Sequence, residues 1–157
     1  MRMLMNKTVI STESLVSNIR TATLHDSKSI NNLSLHLGYG STPQDLADER
    51  LKCLLESKND WVWVFEESDD ILGWIHLFKA HRVASSTFYE IGGLVVNPET
   101  RNVGIGRRLV EFAVKHSEVQ KSELRVRCNS KRLDSHLFYE KTGFVNSKKQ
   151  FVYRMSL

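Results

Sequence analysis

Cysteine is nearly absent. Cys53 and Cys128 are the only two in 157 residues, too few for a disulfide framework and without zinc-ligand spacing. They read as reduced thiols packed inside a cytoplasmic protein. Two prolines and eight glycines exclude collagen-like and low-complexity chains. No apolar run approaches the ~20 residues that span a bilayer, so no membrane partner is expected. The first seven residues, Met1 to Lys7, are basic but lead into no apolar stretch, so no secretory signal is expected. No His/Cys/Asp/Glu cluster predicts a metal, and no Ser-His-Asp arrangement predicts hydrolysis.

What remains is a chain 41% hydrophobic and 25% charged, enough for one domain over residues 1–157 with a buried core. Residues 1–17 read as a loose arm or a part-formed first strand. The net charge of +4 is unevenly spread: residues 1–100 hold 9 Lys+Arg against 13 Asp+Glu, whereas 101–157 hold 13 against 5. A basic second half suits a polyanionic partner and an acidic first half a cationic one, while the asymmetry taken alone favours plain solvated faces with no partner. Nucleic acid ranks last among such partners, because interleaved exposed aromatics and a recognised binding motif are missing.

Asn18 to Leu24 suits a strand. Asp26 predicts the cap of a helix with Ile30, Leu33 and Leu37 at helical spacing and Gly38 past its end. Thr42 as cap, Pro43 at the first helical position and Asp45 predict a second helix, with Ala47, Leu51, Leu54 and Leu55 on its apolar face. Trp61 to Phe65 and Ile71 to Phe78 form a hairpin around a polar turn, and Thr87 to Val96 a third strand. A helix then carries Ile105, Leu109, Phe112 and His116 on one stripe. Glu123 to Cys128 reads as a strand, Leu133 to Lys141 as a short helix, and Phe144-Val145 and Gln150 to Met155 as final strands. The class is α+β: a central, mostly antiparallel sheet flanked by helices.

The most specific stretch runs from Leu94-Val95-Val96-Asn97-Pro98 to Arg101-Asn102-Val103-Gly104-Ile105-Gly106-Arg107-Arg108. A strand enters a turn and then a Gly-x-Gly helix start. Unpaired backbone N–H groups at a helix N-terminus suit a phosphate, and Arg101, Arg107 and Arg108 add charge. By itself Gly-x-Gly is a weak signal, equally found in ordinary strand-to-helix turns. A dinucleotide-binding loop would need a glycine where Leu109 stands, and a P-loop would need Lys-Ser/Thr where Arg107-Arg108 stand. Arg101-x-x-Gly104-x-Gly106 after a strand, with Phe138-Tyr139-x-x-x-Gly143-Phe144 later, resembles the GNAT superfamily of N-acetyltransferases over roughly residues 18–157.

That resemblance implies acetyl-CoA as donor and a primary amine as acceptor, attacked directly in a ternary complex. Leu94, Val95 and Val96 would offer backbone hydrogen bonds to the pantetheine arm, and the backbone of Val103 to Arg108 would hold the pyrophosphate. Asn129 would point toward the same cofactor from a strand end. Tyr139 corresponds to the general acid that protonates the leaving thiolate. Glu90 corresponds to a strand glutamate acting as base, through water, because small-molecule relatives carry their acidic residue where Gly92 stands here. His76 and His81 are candidates to line the acceptor site, His136 to touch the cofactor, and Arg125 and Arg127 to reach phosphates; ordinary structural or solvated side chains are the alternative for each. The acidic first half implies a cationic amine. The final strand implies a homodimer, as in many relatives. A non-catalytic acyl-CoA sensor of the same fold is the alternative.

Overall fold

The computed structural model describes residues 18–157 apart from Asn102; the expected arm over residues 1–17 lies outside the described residues. The chain forms two compact units, one ending at Arg127 and the other running from Cys128 to Leu157.

The first unit is built on a five-stranded sheet in sequential order: β1 (Ile19–Thr21), β2 (Asp60–Glu67), β3 (Asp70–Ala80), β4 (Phe88–Val96) and β5 (Leu124–Val126). β1 to β4 pair antiparallel, and β4 pairs β5 in parallel. The β2–β3 hairpin turns on Ser68 and Asp69, both at positive φ, the conformation a two-residue turn needs to match strand twist. Helices α1 (Ser27–Ser34) and α2 (Gln44–Glu56) precede β2, and α3 (Ile105–Val119) carries the chain from β4 to β5.

Residue alternation along the strands sorts two faces. One receives α3, where Ile105, Leu109, Val110 and Ala113 are buried. Trp63 meets Phe112 edge-on at 5.1 Å, and His116 packs between Trp61 and Tyr89 at 4.7 and 5.5 Å. Gly73 lets α3 approach, since a Cβ there would stand 3.2 Å from Leu109 Cδ1 and 2.9 Å from the Val95 carbonyl oxygen. On the other face Val62, Val64, Trp74 and Val95 join Ala22, Leu33 and Leu51, with Ile30, Leu54 and Leu55 packed against them. Arg20 ties the edge of the unit together. Its guanidinium meets Asp26 at 2.8 Å and Glu66 at 2.8 Å, which holds the Asp26 carboxyl below its ordinary range.

Asp26 is the cap position of α1, as expected, but its side chain makes no capping bond to that helix and accepts the Thr23 backbone N–H at 2.7 Å instead. Other expectations are corrected. Pro43, in place of Thr42, is the residue before α2. The strand expected over Glu123 to Cys128 is only Leu124–Val126. Cys53 and Cys128 are free, as expected, but exposed and not packed inside.

The second unit contains α4 (Leu133–Lys141). Its exit is a Schellman motif: Phe144 N–H reaches the Tyr139 carbonyl at 3.0 Å and Gly143 N–H reaches that of Glu140 at 3.1 Å. Gly143 sits at φ 100°, a conformation open to glycine at little cost. The strands expected at Phe144-Val145 and Gln150 to Met155 are not formed. Those residues join no ladder and carry exposed Val145, Phe151, Val152 and Tyr153. Their β-propensity is a preference for a partner, and without one it produces no strand.

Candidate active site

Within the first unit, Leu94, Val95 and Val96 close β4. They pair with Ile75, Trp74 and Gly73 of β3 on one side. On the other side the β5 ladder stops at Ile91↔Val126. Among the described residues, therefore, the stretch from Gly92 to Val96 has a strand neighbour on one side only. Backbone donors and acceptors of that edge are available to an extended ligand, as a sheet edge is to a peptide.

Asn97 and Pro98 then start a single 3-10 turn, Pro98–Thr100, in which the Asn97 side chain accepts the Glu99 N–H at 3.1 Å. Arg101 and Val103 are exposed; Asn102 lies outside the described residues. Gly104 stands before the first turn of α3 with φ 86°. A Cβ there would meet nothing within 4 Å, so glycine is required for its backbone conformation and not for space. Its carbonyl accepts the Arg108 N–H at 3.0 Å. Ile105 is buried and anchors the turn, and Gly106 keeps the second helical position without a side chain. Arg107 pairs with Glu111 at 3.2 Å, and Arg108 lies 5.8 Å over the Phe65 ring. The arginines are thus held by their own helix and sheet beside the helix N-terminus.

Glu90, upstream on β4, is 6% exposed. Arg127 Nε donates to its Oε1 at 2.6 Å. Buried carboxylates require such partners. Arg125 instead stacks 3.8 Å over Phe88 and pairs with Glu123 at 2.8 Å. Neither Arg125 nor Arg127 is a free surface charge. His81 bonds Thr87 in the β3–β4 loop.

In the second unit, Tyr139 packs edge-on against Phe138 and Phe144 at 5.1 and 5.4 Å. The Tyr139–Phe144 contact is the hydrophobic contact that accompanies a Schellman exit, which explains the Tyr-x-x-x-Gly-Phe spacing physically. Burial, and then the nearby Cys128 thiol, push the Tyr139 phenol well above its ordinary range, with Arg132 opposing. Asn129 lies in the loop beyond β5, not at a strand end; its side chain accepts the Lys131 N–H at 3.0 Å, and its carbonyl pairs with His136 at 2.9 Å.

The sequence points to His76 but not to its partner: His76 Nε2 stands 2.7 Å from Asp60 Oδ1, opposite the Gly92-Gly93 pair. Two adjacent glycines inside a strand were the available signal.

A family model described as an acetyltransferase (GNAT) domain matches residues 38–155. A comparison with curated protein sequences finds no match. Among solved structures, the aminoglycoside 6'-N-acetyltransferase of Acinetobacter haemolyticus is similar with TM-score 0.77 at 16% identity, covering 89% of this chain and 99% of that one. A GNAT family acetyltransferase of Staphylococcus aureus gives 0.72 at 18% identity, covering 87% and 97%. A transcriptional regulator of Bacillus halodurans gives 0.77 at 21%, covering 87% and 98%. At such identities the likeness concerns the fold.

Proposed function

The chain belongs to the GNAT acetyltransferases, and from that premise we propose that it moves the acetyl group of acetyl-CoA to a primary amine. The observation that carries the reading is the one-sided end of β4 running directly into a helix whose first turn opens on Gly104 at positive φ. The residues fit the cofactor. An extended pantetheine arm matches a strand edge with spare N–H and C=O groups, and a pyrophosphate matches unpaired N–H groups at a helix N-terminus. Leu94, Val95 and Val96 would hold the arm, and the backbone from Val103 to Arg108 the pyrophosphate, with Arg101 and Asn102 before it. Bound there, acetyl-CoA supplies an activated thioester.

The chain's own groups do the rest. A β4 amide near Leu94 or Val95 meets the charge developing on the carbonyl oxygen. Tyr139 gives a proton to the departing sulfur, and burial keeps that phenol protonated throughout the range in which amines react. Asn129 orients the approach to the cofactor. Glu90 contributes negative charge near the acceptor, moderated by Arg127. Holding both reactants makes the step effectively unimolecular.

A cationic acceptor is favoured by the acidic balance of residues 1–100 and by the aminoglycoside enzymes among the structural neighbours. The test is an amine panel of aminoglycosides, polyamines, amino acids and peptides, with thiol release and acetylated product followed together. Matched thiol and product are expected with at least one cationic amine. Acetyl-CoA binding without product from any amine would make the chain a sensor.

A further inference from the structure

β3 and β4 change register opposite His76. His76 pairs with Gly93 and Leu77 with Ile91, leaving Gly92 as the extra residue. A Cβ on Gly92 would lie 2.6 Å from His76 Nδ1, and one on Gly93 would lie 2.8 Å from the Trp74 ring. The glycines therefore let two rings of β3 lie directly against the β4 backbone, at the point where β4 loses its β5 neighbour. Bulges of this kind re-aim side chains beside active sites.

The imidazole is oriented from its far side. Asp60, on β2, faces His76 Nε2 at 2.7 Å, and both side chains are 20% exposed. The other Asp60 oxygen accepts the Ser57 hydroxyl at 2.6 Å. A carboxylate oxygen accepts, so this contact assigns the ring hydrogen to Nε2, the tautomer in which the lone pair is on Nδ1. Among the described residues Nδ1 has no hydrogen-bond partner. It stands over Gly92, the first β4 residue beyond the β5 ladder.

We propose that His76 is the base that takes the proton from the acceptor amine, with Asp60 as its positioning residue and Ser57 holding Asp60. The proposal rests on the acyl-transfer reading above. The ammonium gives one proton to Nδ1, and Asp60 stabilises the imidazolium formed. The freed lone pair makes the C–N bond, and the C–S electron pair leaves with sulfur. The nitrogen's second departing proton balances the one the sulfur gains, while the proton on His76 passes to solvent. The charged groups facing the ring are Asp60 from β2 and, farther along β4, Glu90 with Arg127 paired to it. Both carboxylates lie on the same sheet face and favour a cationic acceptor.

Two readouts test this. Nitrogen-15 NMR of the free protein should show His76 as the Nε2–H tautomer, and Asp60→Asn should weaken that preference. On an amine that the wild type acetylates, His76→Gln should lower kcat/KM by about 10²–10⁴-fold near neutral pH. The loss should shrink as pH rises and free amine accumulates, with acetyl-CoA affinity unchanged by calorimetry. Gly92→Ala, whose new methyl crowds Nδ1, should reproduce the kinetic loss should His76→Gln fail to fold. An Nδ1–H tautomer in the wild type would overturn the proposal, as would an active wild type equalled by His76→Gln at every pH. A wild type inert with every amine would instead overturn the acyl-transfer reading.

Discussion

The two faces of the sheet are built to opposite rules. Toward α3 the strands present Trp61, Trp63, Phe65, Ile75, Leu77 and Tyr89, and α3 answers with Leu109, Val110 and Phe112. Volume and apolar area are maximised there, and even His116 is enclosed by rings, so that burial lowers its basicity. The other face starts alike, with Val62, Val64 and Trp74 under α1 and α2. Farther along it gives its positions to His76, Glu90, Gly92 and Gly93. Glycines forfeit packing, and a buried carboxylate needs compensation. A fold departs from its own packing rules mainly where something besides packing is required. The contrast separates a face that holds the molecule from a face that handles a ligand.

Substitutions on the two faces should therefore fail in different ways. The largest effect concerns chemistry alone and involves the second unit: Tyr139→Phe should lower turnover by about 10²–10⁴-fold while preserving the fold and acetyl-CoA binding. Unchanged turnover across pH would reduce Tyr139 to its packing against Phe138 and Phe144. Leu109→Ala, at a fully buried position of α3 facing the sheet, should cost about 2–5 kcal/mol of stability in denaturant unfolding. Activity per folded molecule should stay unaltered; a selective loss of activity would break the distinction between faces.

Gly104→Val forces a β-branched residue into positive φ, a strain of about 1–2 kcal/mol. Calorimetry should show acetyl-CoA affinity reduced about tenfold, whereas Gly104→Asn, which tolerates that conformation, should lose less. Equal loss in both variants would point to a crowded turn instead. His116 supplies a pH signature for the packed face. Its folded basicity lies below the unfolded value of about 6.5, so unfolding takes up a proton. The stability it contributes is complete above that value and is lost as pH falls below it. His116→Phe should flatten the melting temperature over this window, and an unchanged slope would contradict the burial argument. The smallest effect belongs to Glu90→Gln: a few-fold lower amine turnover at neutral pH, fading at alkaline pH, with acetyl-CoA affinity nearly intact. Equal activity at every pH would remove Glu90 from the reaction.

Local signals proved readable in the sequence. The hydrophobic runs of β2 to β4, the Gly104 turn and the aromatic-glycine exit of α4 each lie within a short window, where one chain segment decides the geometry. Pro43 illustrates the limit of that scale, since the helix begins one residue beyond the expected position. The strands expected after Phe144 depended on partners that local propensity does not supply. The His76–Asp60 pair was hidden for a related reason. It joins residues 16 apart through the β2–β3 register, and its orientation toward β4 depends on a bulge. Glu90 was legible as a strand carboxylate, but its bond to Arg127, 37 residues away, required the parallel β4–β5 pairing.

The most direct test is amide chemical-shift mapping of the free protein titrated with acetyl-CoA. Saturable shifts concentrated in Gly92 to Val96 and Val103 to Arg108 are expected, with β1 and the β2 positions Trp61, Trp63 and Phe65 little affected. Absence of binding, or shifts concentrated on α1 and α2 while both stretches stay silent, would contradict this cofactor site.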